Sequence, residues 1–253
     1  IHPIFRRYYY CSYKRYALKY MEYPVRINKY LAEKGYATRK GADELVKNKK
    51  ITINGRIAVL GDKVNKKDEV KVASLKDQKK YSYYAYSKPR GIVTTSAQGD
   101  EKSILDVAKF SEKVFPVGRI DKDSHGLIIM TDDGRITDRM LSPGREHEKE
   151  YIVEVDRRFD ESFMKNMAGG VKIDGTMTKP AKVKRTGTKT FSIILTEGKN
   201  RQIRKMCAEL NYTVRDLMRV RIMNITLGKL REGTHRPLSL KERTDLLKSL
   251  GLE

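Results

Sequence analysis

Two helices are predicted near the start of the regularly patterned part of the chain. Between residues 25 and 50, apolar residues recur at spacings of three and four: Ile27, Tyr30 and Leu31 in the first segment, then Ala42, Leu45 and Val46 in the second. Such spacing places each set on one face of a helix. Gly35 is expected to end the first helix, and Thr38 is expected to cap the second.

Short strands are predicted after these helices. Residues 51–53 (Ile-Thr-Ile) alternate as a strand does, and the Asn54-Gly55 pair that follows favours a hairpin turn, because both residues tolerate positive φ. Residues 69–72 predict a further strand, and the polar residues 73–82 are typical of a linker. The stretch from 25 to 72 is therefore predicted to be a small α+β module.

The pattern changes from Tyr83 onward, where short alternating segments predict strands at Tyr83–Tyr86, Ile92–Thr95, Leu127–Thr131, Tyr151–Val155, Phe191–Thr196 and Ile222–Leu227. Helical spacing lies between them at 103–110, 134–141, 160–168 and 200–210. Strands and helices mixed without strict alternation favour an α+β domain, here a largely antiparallel mixed sheet flanked by helices.

Residues 1–20 are rich in Tyr, Arg and Lys and contain no acidic residue, and the chain begins with Ile. We expect an unstructured basic extension over 1–22, upstream of the patterned chain. The alternative is a basic targeting peptide, which would change the compartment. The expected domains are this extension, the small module with its linker over 23–82, and the larger domain over 83–248.

The chain carries a large excess of positive charge. Fifty-four Lys and Arg residues against 32 Asp and Glu give a formal net charge of +22. This excess repels itself within the fold, so it indicates a polyanionic partner, with nucleic acid the first candidate. A solvated basic surface is the less specific explanation.

Two cysteines and four scattered histidines indicate neither a disulfide framework nor a metal site. No glycine-rich phosphate cradle is present, and no cofactor is expected. No apolar run is long enough to span a membrane, so the expected location is the reducing cytoplasm.

Residues 25–72 resemble the S4 RNA-binding module. The similarity is carried by RINKYLAEKGYATRKGADELV, ITINGRIA and GDKVNKKDEVKV. The resemblance implies that this part of the chain binds RNA. Its basic residues Arg26, Lys29, Arg39 and Lys40 are the candidates for phosphate contacts, which position a protein on RNA without specifying sequence.

Five further motifs, in order, resemble those of the ribosomal RNA pseudouridine synthases. They are KPRGIVTTS (88–96), VGRIDKDSHGLIIMTDDG (117–134), HEKEYIVEV (147–155), EGKNRQIRKMC (197–207) and RVRIMNITLGKL (219–230). The last three are most similar to a large-subunit subgroup of that family. The chain departs from many relatives at Ile120 and at Ser124-His125, where Leu and Thr-Glu are common.

The resemblance implies the roles of three residues. Asp121 would be the catalytic carboxylate, Arg204 its guanidinium partner, and Tyr151 the aromatic platform for the uracil. Taken alone, Asp121 fits a turn residue or helix cap equally well. Tyr151 taken alone fits a core tyrosine at the start of a strand.

Base extrusion is the second implication, because a stacked uridine cannot reach a protein carboxylate. Arg119 is expected to fill the vacated place or to hold the neighbouring phosphate, with a surface ion pair as the alternative. Lys122, Arg201 and Lys205 are expected to contact RNA. In the helix 200–210, Ile203, Met206, Cys207 and Leu210 fall on the core face, and Cys207 is expected to be a core filler.

The leading hypothesis is therefore a monomeric enzyme that isomerises one uridine in structured RNA, most simply large-subunit ribosomal RNA. Transfer RNA is the alternative substrate. A non-catalytic RNA-binding assembly factor is the alternative class of protein.

Overall fold

The structure is a computed structural model that describes residues 21–73 and 81–252. The chain divides into two compact units between Lys79 and Lys80. Most of the expected extension over 1–22 and most of the linker over 73–82 lie outside the described residues. No helix of the described part is long and apolar enough to cross a membrane.

The N-terminal unit contains two helices and five short strands. They are β1 (Val25–Arg26), α1 (Ile27–Glu33), α2 (Arg39–Lys47), β2 (Ile51–Ile53), β3 (Arg56–Ile57), β4 (Lys63–Val64) and β5 (Val70–Val72). The Oγ1 of Thr38 accepts a hydrogen bond from the backbone N of Gly41 at 3.0 Å, which confirms the predicted cap. Asn54 and Gly55 both have positive φ in the turn between β2 and β3, as predicted.

The predicted apolar faces meet in one core in this unit. Ile27 and Leu31 of α1 pack with Ala42 and Val46 of α2, and Ile51 of β2 closes the cluster. All five side chains are buried. The surface of the unit carries exposed basic residues together with a few exposed apolar side chains, among them Ile57, Val59 and Leu60.

The C-terminal unit is built on a mixed sheet of nine strands. The strands are β6 (Tyr83–Lys88), β7 (Phe115–Val117), β8 (His125–Thr131), β9 (Lys149–Val155), β12 (Lys182–Arg185), β13 (Thr190–Leu195), β14 (Val214–Ile222), β15 (Ile225–Thr226) and β16 (His235–Pro237). A separate hairpin is formed by β10 (Lys172–Ile173) and β11 (Thr176–Met177).

The main path of the sheet runs β12-β13-β9-β14-β8-β6-β16, with β15 paired to β14 and β7 paired to β8. Strand β14 pairs antiparallel with β9 and parallel with β8, and the other pairs of this sheet are antiparallel. The predicted α+β class with a largely antiparallel mixed sheet is confirmed.

Helices cover the sheet at both ends. They are α3 (Ile104–Val107), α4 (Arg135–Leu141), α5 (Glu161–Gly169), α6 (Gln202–Glu209) and α7 (Leu240–Ser249), with a 3-10 turn at Pro143–Arg145. Apolar residues of α5 and α6 pack on β9, β13 and β14. Those of α4 and α7 pack on β6 and β8. A third cluster joins Ile104 of α3 to Tyr86 of β6 and Ile128 of β8.

Three predicted elements differ from the structure. Residues 92–95 form an isolated bridge between Val93 and Ser103 rather than a strand, because Thr94 bonds to the backbone of Ile120 instead of to a neighbouring strand. The segment 222–227 is two strands, since the chain reverses at Met223, whose φ is +51°. Helix 103–110 ends early because Ala108 is extended.

Candidate active site

A tightly held loop carries Asp121. The loop joins β7 to β8, and the backbone N of Ser124 donates to the carbonyl of Asp121 at 3.1 Å, closing a turn. Buried Thr94 holds the residue before it: the Thr94 hydroxyl donates to the carbonyl of Ile120 at 2.9 Å and accepts from its backbone N at 3.2 Å. The backbone on both sides of the carboxylate is thus held in place.

A buried lysine ties this loop to the preceding one. Lys88 is fully buried, and its Nζ donates to the carbonyls of Pro89 at 2.8 Å, Ile92 at 2.5 Å and Lys122 at 3.4 Å. Burial lowers the pKa of Lys88 to about 8, although the carboxylates of Asp123 and Asp121 oppose this shift. Lys88 therefore joins the loops 89–92 and 121–124 from beneath.

Two guanidinium groups face the Asp121 carboxylate. Its Oδ2 lies 3.9 Å from the Nη1 of Arg201 and 4.0 Å from the Nε of Arg204. These distances are those of ion pairs and exceed hydrogen-bonding distance. The side chain of Asp121 is 30% exposed and that of Arg204 is 15% exposed.

Arg204 is the more enclosed of the two arginines. Its guanidinium donates to the carbonyls of Val214 and Asp123 and meets the Ser124 hydroxyl, each at 3.3 Å. It lies behind the carboxylate and is not part of the cleft wall described below. Arg204 thus connects α6 and β14 to the loop that presents Asp121.

Arg201 reaches Asp121 because of the turn before α6. Arg201 has a φ of +50° at the N-terminus of this helix. Buried Gln202 fixes the turn: its side chain accepts from the backbone N of Lys199 at 3.0 Å and donates to Glu197 at 2.7 Å. Arg201 was expected to contact RNA, and the structure places it beside the carboxylate as well.

The departures at Ser124-His125 leave this arrangement intact. Ser124 is buried against Arg204. The ring nitrogens of His125 lie 2.9 Å from a carboxylate oxygen of Asp216 and 2.6 Å from one of Glu232. Both residues are therefore held by partners of their own, and neither displaces Asp121.

A cleft of about 990 Å³ opens in front of Asp121. Its walls include the carboxylates Asp121 and Glu197, the aromatic ring of Tyr151, and the cations Arg119, Lys122, Lys149, Lys199, Arg201 and Arg219. Tyr151, on β9, packs partly against the core beneath the sheet. The cleft thus combines the Asp121 carboxylate, the aromatic face of Tyr151 and a strongly cationic wall.

The predicted RNA-contact residues are placed in different ways. Arg119 is exposed at the cleft, and Lys122 lines it while pairing with Glu101 at 2.9 Å. Lys205 lies outside the cleft wall, where its Nζ is 2.5 Å from Asp174. In the N-terminal unit, the predicted basic residues are all exposed: Arg26, Lys29, Arg39 and Lys40.

Cys207 is buried in the core beneath α6, and burial raises the pKa of its thiol to about 12. The expected role of core filler is confirmed. Among residues 21–73 and 81–252, no group of three or more His, Cys, Asp or Glu side chains is arranged to hold a metal ion.

Lys149 and Arg219 are cleft residues that the sequence reasoning missed. Lys149 lies just ahead of the predicted strand Tyr151–Val155, and β9 extends back to include it. The alternation of side chains along β9 then places Lys149 and Tyr151 on one face. No comparable signal exists for Arg219, whose position depends on the insertion of β14 beside β9.

A carboxylate on the wall of a cationic cleft suits an enzyme that acts on RNA, and comparison with known families identifies the class. The family model for RNA pseudouridylate synthases matches residues 82–209, and the model for the S4 domain matches residues 25–70. The chain belongs to the RNA pseudouridine synthase family, and it is an RNA pseudouridine synthase with an S4 domain ahead of the catalytic unit.

Individual relatives agree with this assignment. The chain is 42% identical to the dual-specificity RNA pseudouridine synthase RluF of Escherichia coli (strain K12), covering 88% of this chain and 79% of that protein. It is 31% identical to the ribosomal large subunit pseudouridine synthase B of Bacillus subtilis (strain 168), covering 86% and 93%. A crystal structure of a pseudouridylate synthase aligns with a TM-score of 0.65 at 30% identity, covering 88% of this chain and 99% of that one.

Proposed function

We propose that this enzyme converts a uridine of large-subunit ribosomal RNA into pseudouridine, with Asp121 as the catalytic carboxylate. The observation that carries the proposal is the position of Asp121 on the wall of a cationic cleft, with two guanidinium groups within 4.0 Å. Isomerisation of uridine exchanges the C1′–N1 bond for a C1′–C5 bond without gain or loss of atoms. A single well-placed carboxylate is the chemical group that this reaction needs.

Tyr151 and Arg119 complete the proposed site. Tyr151 presents an aromatic face to the cleft, where an extruded uracil can stack. Arg119 is exposed at the same cleft and suits either the place vacated in the RNA helix or the adjacent phosphate. Arg204, which lies behind the carboxylate, holds Asp121 in position.

Two further points belong to the proposal. The region 23–82 docks on structured RNA through its exposed basic residues, and the region 83–248 performs the reaction. The choice of large-subunit ribosomal RNA is supported by the name of the Bacillus relative. With this substrate, we propose that the enzyme works as a monomer in the cytoplasm.

Release of tritium from RNA labelled at C5 of uridine tests the proposal, because C5 loses its hydrogen in the reaction. The wild-type enzyme is expected to release tritium and the Asp121→Asn variant to release none, with RNA affinity unchanged to within about tenfold, which is ~1.4 kcal/mol. Asp123→Asn is the matched control, since it makes the same change on an exposed side chain two residues away and outside the cleft wall. Equal release from wild type and Asp121→Asn contradicts the assignment of Asp121.

Mapping of pseudouridines in cells with and without the gene tests the substrate. Loss of a large-subunit ribosomal site supports the proposal. If pseudouridines are lost only from transfer RNA, the substrate is transfer RNA instead. If the map is unchanged and the protein still binds RNA, a non-catalytic assembly factor is favoured.

A further inference from the structure

Three side chains of the cleft share one face of the sheet. Lys149 and Tyr151 are two residues apart on β9, so they point to the same side. Arg219 of β14 is the direct cross-strand partner of Tyr151, so it lies on that side too. All three line the cleft. Two cations therefore flank the position that we propose for the uracil ring.

The two cations differ in burial, since Arg219 is buried and Lys149 is half-buried, and neither has an acidic partner among the described residues. Arg219 is 3% exposed; its Nε donates to the carbonyl of Leu127 at 2.7 Å and its Nη1 to that of Arg119 at 3.5 Å. Its Nη2 is buried with no hydrogen-bond partner among the described residues. The Nζ of Lys149 donates to the carbonyl of His147 at 3.3 Å.

In the free enzyme, the positive charges of Lys149 and Arg219 repel each other. Desolvation lowers the pKa of Lys149, and the charge of Arg219 lowers it further. Neither side chain forms an ion pair with a carboxylate of the described residues. Buried charge without compensation is costly, so the site is built to receive negative charge.

Negative charge develops on the uracil in each possible course of the reaction. If Asp121 attacks C1′, its electron pair forms the new bond and N1 keeps the pair of the old one. If a proton leaves the ribose C2′, the C–H pair forms a C1′=C2′ bond and N1 again keeps its pair. If Asp121 attacks C6, the electrons of the C5=C6 bond move towards O4. The charge is shared with the ring carbonyl oxygens in all three cases.

We infer that Lys149 and Arg219 form an electrostatic subsite that stabilises the negative charge developing on the uracil. The inference rests on the proposed function and adds a pair of cations to it. Lys149 is partly exposed and makes the contact with a ring oxygen, while Arg219 acts through its charge. Preorganised charge in a desolvated site is most effective when the charge appears only during the reaction.

The burial of the cleft cations indicates whether the anion at this subsite is the uracil base or a backbone phosphate. Arg119 and Lys122 are exposed at the cleft, where a phosphate can reach them. Arg219 is buried at the sheet itself and pairs in register with Tyr151, on which we propose that the uracil stacks, and Lys149 is half-buried beside it. The exposed cations therefore suit the phosphate, and Lys149 and Arg219 suit the base.

Single-turnover tritium release with the Lys149→Met variant tests the inference. The substrate is the ribosomal RNA fragment in which the wild-type enzyme forms pseudouridine. Loss of the charge is expected to slow the reaction on the order of 100-fold while the Kd for RNA stays within about threefold. Lys149→Arg keeps the charge and is expected to retain most of the rate. Lys184→Met removes an exposed lysine of β12 outside the cleft wall, and its rate is expected to be unchanged.

The same fragment with 5-fluorouridine at the target provides a second readout. Fluorine withdraws electrons from the ring and stabilises the uracil anion by itself. Cleavage of the C1′–N1 bond, followed by nucleoside chromatography, is therefore expected to show a smaller defect for Lys149→Met than the uridine substrate does. Lys149→Gln repeats both measurements if the Met variant proves unfolded by circular dichroism.

Three outcomes overturn the inference. One is an unchanged rate in Lys149→Met with a raised Kd and a weaker salt dependence, which identifies a phosphate contact. Another is an equal defect on both substrates, and the third is an equal loss in Lys149→Arg. Each leaves the proposed function standing as long as the wild-type enzyme forms pseudouridine and Asp121→Asn does not. Failure of the wild-type enzyme itself overturns the proposed function instead.

Discussion

A substitution at Arg204 can test the positioning of Asp121 separately from RNA binding. It lies 4.0 Å from the carboxylate and bonds to the carbonyl of Asp123, but it is not part of the cleft wall. We predict that Arg204→Met slows single-turnover pseudouridine formation on the order of 100-fold and changes RNA affinity little, because Asp121 loses a charge partner and a support together. Lys205→Met is the control, since that lysine pairs with Asp174 away from the site. A large drop in affinity with an unchanged rate would instead make Arg204 an RNA contact.

Lys88 gives a prediction about pH. The pKa of Lys88 is about 8 in the folded protein against 10.5 for an ordinary lysine, so between these values the unfolded chain binds more protons. The contribution of this group to the free energy of unfolding therefore rises with pH across that window. Urea titrations at pH 7.5 and pH 10 are expected to show wild type gaining stability relative to Lys88→Met. A constant difference would show that Lys88 titrates normally.

Motifs in the sequence predicted that Asp121 and Arg204 lie together, whereas no pattern predicted the residues whose position depends on burial. Asp121 and Arg204 occur in motifs 83 positions apart, and the structure brings them to 4.0 Å. No local pattern distinguishes a buried lysine such as Lys88 from the many exposed ones. Arg201 approaches Asp121 because its own φ is positive, and an arginine at this position does not predict that conformation.

Strands β8 and β14 meet so closely that one position requires glycine. Gly126 has a φ of +100°, and a Cβ there would lie 2.4 Å from the carbonyl oxygen of Arg219. We predict that Gly126→Ala lowers the free energy of unfolding by at least about 2 kcal/mol, through backbone strain and displacement of β14. Gly144→Ala is the control, because a Cβ there meets nothing within 4 Å. Equal stability of the two variants in urea would contradict the close approach of the strands.

Elements with strong periodicity or a cap were predicted well. Helices α4, α5 and α6 match the expected segments to within about two residues, and α2 begins directly after its predicted cap, Thr38. Asp160 caps α5 by accepting from the backbone N of Phe163. In the C-terminal unit, the missed elements are the helix α7 and the strands β7, β10, β11, β12, β14 and β16. The alternation of β14 is broken by register shifts between Val214 and Asp216 and between Arg219 and Arg221. Two-residue strands carry too little alternation to detect. The prediction for residues 92–95 was wrong because these residues, although typical of a strand, form a loop in which Thr94 bonds to Ile120.

We expect the two units to make separable contributions to RNA binding. We predict that deletion of residues 1–73 leaves the C-terminal unit folded, since its three hydrophobic clusters are built from its own strands and helices. Affinity for structured RNA is expected to fall, and the dependence of log Kd on log salt to become shallower by about 0.7 for each phosphate that the shortened protein no longer neutralises. Circular dichroism and filter binding at several salt concentrations measure the two effects. An unfolded remainder, or an unchanged salt dependence, would contradict this division.

The order of strands in the sheet has a consequence for the newly made chain. Tyr151 lies on β9 and Asp121 just before β8, and the strand between them, β14, comes late in the sequence. During synthesis the ribosome releases both residues well before the strand that sets their spacing. A chain cut short before Val214 therefore carries Asp121 and Tyr151 but lacks the strand that joins β9 to β8, so the cleft between these two residues cannot form until synthesis is nearly complete.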